Sequence, residues 1–180
     1  MGLPGWLLLM GALTAIGPIS IDMYLPAFPE MAANLGATGS QVERTLAAYL
    51  IGMAGAQLIY GPLADRFGRK PPLYGALLVY ILASAGCALS PTVEFLTVCR
   101  VVQAMGGAAG MVISRAVVRD HYSTQEAARA LSMLMLVMGI APILAPLVGG
   151  QVLALAGWRA IFAVITVSGF ALLIAVSRIM

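Results

Sequence analysis

Six apolar stretches, each long enough to cross a bilayer, dominate this chain and limit what it can fold into. They cover residues 5–28, 45–64, 72–90, 95–118, 130–155 and 160–177. A helix needs roughly 20 apolar residues to span hydrocarbon. Only helices and closed barrels satisfy their backbone polar groups there. Barrel strands alternate inward and outward over about ten residues, whereas these stretches are continuously apolar, which excludes a barrel. The sequence therefore predicts an all-α membrane protein, six transmembrane helices forming one domain over residues 1–180.

The charge content agrees. Only 9% of residues are charged and 61% are hydrophobic, against about a quarter charged in soluble domains. So few charges cannot cover a water-facing surface, and membrane lipid is the expected surrounding. The basic residues form no stripe with interleaved aromatics, so nucleic acid is not an expected partner. Cys87 and Cys99 lie in apolar stretches without a CxxC spacing, and His121 is the single histidine. Neither a disulfide framework nor a metal site is expected. There is no Ser/His/Asp set and no phosphate-binding loop, so an enzyme with catalytic residues is not expected either.

The connections alternate in charge. The second–third connection holds Asp65, Arg66, Arg69 and Lys70; the fourth–fifth holds Arg119, Asp120, His121, Glu126 and Arg129; Arg178 follows the last span. The opposite connections hold Glu30, Glu43 and Arg44, then Glu94, then Arg159. The positive-inside rule places the Arg/Lys-rich side and both termini in the cytoplasm. Six spans suit two three-helix units of opposite orientation, a repeat common in transporters.

Four segments carry more than hydropathy. At the inner end of the second span stands Gly61-Pro62-Leu63-Ala64-Asp65-Arg66-Phe67-Gly68-Arg69-Lys70. Gly61 permits close helix approach, Gly68 a tight turn, and the acid followed by three bases a charge cluster at the membrane surface. In the fourth span Arg100 precedes Gln103, Gly106, Gly107 and Gly110. An arginine inside a membrane helix costs roughly 2.5 kcal/mol or more, so it snorkels or faces a cavity or partner. Gln103 shares its face, and Gly106 and Gly110 form a small-xxx-small packing surface. In the first span Asp22 sits in Ile19-Ser20-Ile21-Asp22-Met23-Tyr24-Leu25-Pro26. Burial raises a carboxyl pKa and a nearby arginine lowers it, the competition a proton-carrying group needs. The first span runs outward and the fourth inward, which predicts Asp22 and Arg100 at similar depth, communicating across a cavity. Tyr24, Tyr49, Gln57 and Gln103 are candidates to line it. The fifth span contains Gly139, Pro142, Pro146, Gly149 and Gly150, with Ala141 and Ala145 between.

In order and spacing these segments resemble the major facilitator superfamily. The first is similar to its G-x-L-a-D-R-x-G-R-K-x-x-L motif, completed by Leu73; the Arg100 segment is similar to R-x-x-Q-G-x-G, with Ala104 at one glycine position. The fifth-span segment resembles g-x-x-x-G-P-x-x-G-G, with alanines at the two leading glycines. The Asp22-Met23-Tyr24-Leu25-Pro26 core resembles the Bcr/CflA drug-resistance subfamily. The resemblance implies one half of a twelve-helix fold, a 3+3 inverted repeat, acting in proton-coupled export of small amphipathic drugs across the inner membrane. It implies proton coupling by Asp22 and Arg100, and a conformational latch of Gly61, Asp65, Arg66, Gly68, Arg69 and Lys70 in which Arg69 pairs with Asp120. The fifth-span motif is the antiporter type, expected to pack against the partner half. No cofactor is implied beyond the proton gradient. The expected partner is a carboxy-terminal half or a second copy; the alternatives are a transport-inactive fragment or a transporter of a small metabolite.

Overall fold

The computed structural model describes residues 5–180. Among them there are seven α-helices and no strand: α1 (Gly5–Asp22), α2 (Phe28–Asn34), α3 (Gly39–Phe67), α4 (Lys70–Ala88), α5 (Val93–His121), α6 (Thr124–Ala156) and α7 (Trp158–Ile179). Helix α2 continues the first span, so the helices make six crossings long and apolar enough for a membrane.

The first crossing, which the sequence runs from residue 5 to 28 with local kinking or unwinding expected from Pro18 and Pro26, is broken ahead of the second proline. Helix α1 stops at Asp22, and a 3₁₀ turn over Leu25–Ala27 leads into α2. Pro26 has no N–H to offer the Asp22 carbonyl, and its ring crowds that carbonyl. Pro18, in contrast, is accommodated inside α1. The joint at Met23–Tyr24 follows from this break.

Helices α3, α5, α6 and α7 outrun their apolar stretches, while α4 is offset from its own by two residues. Helix α3 starts at Gly39, before the predicted residue 45, because Thr38 and Gln41 form a reciprocal capping box. Ser123 and Glu126 do the same for α6, and the Thr92 hydroxyl accepts from the Phe95 amide at the start of α5. Capping satisfies the orphan amides of polar first turns, so these turns stay helical where hydropathy has already fallen. Gly68 and Gly157, with φ of +80° and +76°, end α3 and α6. Glycine takes that left-handed backbone without a Cβ penalty.

Helix α5 is the hub, packing against α3, α4 and α1, while α1 packs on α6 and α4 on α7. Exchanging the first three crossings for the last three maps these pairings onto themselves: α3–α5 becomes α6–α1, and α4–α5 becomes α7–α1. That is the pattern of a 3+3 repeat. Close approach is made by α5 glycines. A Cβ on Gly106 would lie 2.5 Å from the Tyr80 amide nitrogen and 2.6 Å from the Ala76 carbonyl oxygen of α4; one on Gly110 would lie 2.5 Å from the Leu13 carbonyl oxygen of α1. The two glycines thus serve two different neighbours. At the end of the bundle opposite the α3–α4 turn, Glu30 Oε1 accepts from the Trp158 amide, tying α2 to α7, and Arg159 donates to the Ser90 carbonyl.

Gly106→Ala forces apart two backbones that cannot repack, and overpacking of this kind costs about 1–3 kcal/mol. Gly139→Ala, where a Cβ meets nothing within 4 Å, is expected to be neutral. Denaturant unfolding in mixed micelles, followed by circular dichroism, separates the two.

Candidate functional site

Arg100 does not snorkel. It is 0% exposed and enclosed by aromatic rings. Its guanidinium carbon lies 4.2 Å from the Tyr24 ring centre, 4.1 Å from that of Tyr49 and 5.8 Å from that of Phe162. Three elements supply these rings: the joint after α1, α3 and α7. A desolvated cation over an aromatic face gains about 2 kcal/mol. Two such faces match in order of magnitude the roughly 2.5–3.5 kcal/mol of placing arginine in a bilayer.

A polar relay holds the other side. Arg100 Nη1 donates to Gln103 Oε1 at 2.6 Å, and Gln103 Nε2 donates to Ser84 Oγ at 2.8 Å. Ser84 Oγ donates to the Tyr80 carbonyl at 2.6 Å, and the Tyr80 hydroxyl bonds Ser20 Oγ at 2.7 Å. The Tyr24 hydroxyl meets Thr45 Oγ1 at 3.3 Å. All of these side chains are buried. Sequence reasoning missed Ser20, Thr45, Tyr80, Ser84 and Phe162. Their available signal was small hydroxyls buried at helical spacing among apolar residues.

The predicted cavity residues therefore do not line an open cavity in this chain. Tyr24, Tyr49 and Gln103 are fully buried against Arg100. An arginine in hydrocarbon must be solvated by its neighbours, and these are the neighbours that do so. Gln57 stands apart, half-buried, with Nε2 3.7 Å from Met111 Sδ. Asp22 ends α1 half-buried, and among the described residues it makes no ion pair with Arg100. It is Tyr24, two residues on, that the joint presents to the guanidinium.

At the opposite end Arg69 bridges two carboxylates: Nη1 to Asp65 Oδ1 at 2.6 Å and Nε to Asp120 Oδ2 at 2.8 Å. The first follows one helical turn; the second joins the α3–α4 turn to the end of α5. Asp120 and then Asp65 hold the guanidinium firmly protonated against the opposing effect of burial. Arg66 lies over the Phe67 ring and Lys70 over that of Tyr74. Gly61 makes no close helix approach here, since a Cβ there would meet nothing within 4 Å. It lines instead a cavity of about 370 Å³ with Ala64, Asp65, Arg69, Arg119 and Asp120.

In α6 the small residues face inward as well as outward. Ala141, Ala145 and Gly149, one turn apart, are buried, and a Cβ on Gly149 would collide with the Met23 carbonyl. This face seats the joint that carries Asp22 and Tyr24, a use of the segment within the chain. Gly139 and Pro142 stay exposed, while Pro146 and Gly150 are half-buried. Both thiols, Cys87 and Cys99, are free, and no metal-binding cluster occurs among the described residues.

Ser84→Ala removes the acceptor that orients the Gln103 amide. Buried hydrogen bonds between membrane helices are worth about 0.6 kcal/mol on average and up to about 1.7. A loss in that range is expected on unfolding in bicelles, whereas Ser132→Ala, at an exposed hydroxyl of α6, is expected to change little.

Residues 10–180 match the Major Facilitator Superfamily. Over 94% of the chain it is 42% identical to an uncharacterized MFS-type transporter, YdgK, of Bacillus subtilis strain 168, covering 42% of that protein. It is 38% identical to a bicyclomycin resistance protein homolog of Haemophilus influenzae, over 91% of the chain and 41% of the relative. It is 40% identical to a chloramphenicol resistance protein of Pseudomonas aeruginosa, over 87% of the chain and 38% of the relative. The chain thus spans about two fifths of the length of these curated relatives.

Proposed function

Since this multi-pass membrane chain belongs to the major facilitator superfamily, we propose that it forms one wall of a proton-coupled exporter of small amphipathic drugs in the inner membrane. Its termini lie in the cytoplasm, its substrates are drug-like molecules and protons, and it needs no cofactor beyond the proton gradient. The observation that carries this reading is the enclosed Arg100 with a carboxyl group on the adjoining joint, Asp22, that makes no ion pair among the described residues. Relatives named for resistance to bicyclomycin and to chloramphenicol support the class of cargo.

In this reading Asp22 takes up a proton from the outer side, and the change in its charge is felt by Arg100 through the Met23–Tyr24 joint. A fixed cation nearby favours the ionised acid and burial favours the neutral one, so a modest shift of the joint moves the proton on or off. The Asp65–Arg69–Asp120 cluster acts as a latch, holding α3, α4 and α5 together at the cytoplasmic face. The wall is completed by a carboxy-terminal half or a second copy of the chain. A second reading, a fragment inactive by itself, is favoured by the two-fifths coverage of the relatives.

Everted vesicles containing the chain, with and without a relative's carboxy-terminal half, test this. Proton-gradient-driven drug uptake is expected to fall at least about tenfold in Asp22→Asn, because a proton site inside a membrane needs an ionisable side chain. Unchanged uptake and unchanged dependence on the gradient would remove Asp22 from the mechanism. Uptake seen only with the added half would assign the chain alone to the inactive reading.

A further inference from the structure

The guanidinium of Arg100 is satisfied on its faces and at one nitrogen, but not along one edge. Two tyrosine rings lie against the guanidinium, and Nη1 is taken by Gln103. Nε and Nη2 are buried and have no hydrogen-bond partner among the described residues; the buried Tyr49 hydroxyl has none either. Nε–H and one Nη2–H point the same way in the plane of the group. This is the two-donor fork that accepts a carboxylate through parallel hydrogen bonds. A buried donor left without an acceptor is costly, more so when charged. The edge therefore calls for an acceptor with two oxygens, and both ion pairs among the described residues lie at Arg69 instead.

We propose that the Nε–Nη2 edge of Arg100 is a carboxylate-binding site, with the unpartnered hydroxyl of Tyr49, whose ring lies against the same guanidinium, as a further donor. This rests on the transporter reading and names a feature of the cargo: an acid group on an apolar or aromatic body. Tyr24, Tyr49 and Phe162 surround the guanidinium with aromatic rings, the chemistry that such a body would meet once they move apart. Gly107 keeps the Tyr49 hydroxyl free of crowding, since a Cβ there would stand 3.2 Å from it. Entry is through the joint. Tyr24 lies between the end of α1 and the 3₁₀ turn, so its ring can leave the guanidinium without unwinding a span. The same joint carries Asp22, so the carboxylate can come from a ligand or from the chain itself.

Benzoate is titrated against the chain in lipid nanodiscs by saturation-transfer difference NMR at neutral pH, with benzamide as the uncharged isostere and empty nanodiscs as the blank. Saturable benzoate binding without benzamide binding is expected. Arg100→Lys, which keeps the charge but loses the fork, is expected to weaken it at least about tenfold. Tyr49→Phe keeps the ring and removes one donor, for a loss of about threefold, the scale of one neutral hydrogen bond. Binding in both wild type and Asp22→Asn assigns the edge to a ligand. Binding confined to Asp22→Asn upholds the carboxylate site and makes Asp22 its resident. No saturable binding in either protein, or binding in Arg100→Lys as tight as in wild type, overturns the proposal. The assay uses no gradient, so its failure leaves proton-coupled export standing, and failure of the vesicle experiment leaves the edge's chemistry standing.

Discussion

A guanidinium buried among apolar helices has to be solvated by protein, and the centre of this bundle is arranged to do it. Two tyrosine faces hold the charge, one amide takes a nitrogen, and a serine and a backbone carbonyl hold that amide in turn. These groups come from α3, α4, α5 and the joint after α1, so the charge is also what those elements share. Arginine suits the role better than lysine because its planar, weakly hydrated head stacks on aromatic rings.

Small residues determine how near those elements can come. Gly106 brings α5 onto α4 and Gly110 brings it onto α1, so the relay between Gln103 and Ser84 spans a short gap. Gly149 lets α6 rest on the Met23 carbonyl. The α6 segment and the Asp22–Tyr24 joint are therefore in direct backbone contact. In the transporter reading, movement of α6 and the choice of partner at Arg100 are coupled through that contact. Interiors packed this closely transmit displacement rather than absorb it.

Hydropathy made the six crossings and the all-α class legible, because length and continuity of apolar residues admit few other solutions in a bilayer. The break at Asp22 was legible from Pro26 rather than from hydropathy, because the missing proline amide acts four residues earlier, whereas Pro18, expected to act alike, sits inside α1. Hydropathy also placed the helix starts too late, since caps such as Thr38–Gln41 extend helix into polar sequence. At the site, Arg100 and Gln103 were legible from their one-turn spacing. The Arg69–Asp120 contact came through the family resemblance and is present in the structure. Tyr24, Tyr49 and Gln103 were read as walls of a cavity and instead enclose the arginine. A sequence gives the residue types near a charge, but which of them turn toward it is decided by packing. Ser20, Thr45, Ser84 and Tyr80 went unread for the same reason: a lone hydroxyl in a membrane helix looks alike whether it bonds its own backbone or a neighbouring helix.

Aromatic rings, rather than a carboxylate, hold Arg100 in place in this conformation. A double-mutant cycle between Tyr49→Leu and Arg100→Met, measured as unfolding free energy in bicelles, tests it directly. A coupling of about 1–2 kcal/mol is expected for a desolvated cation on an aromatic face. Additivity within about 0.3–0.5 kcal/mol, the behaviour of independent sites, would contradict it.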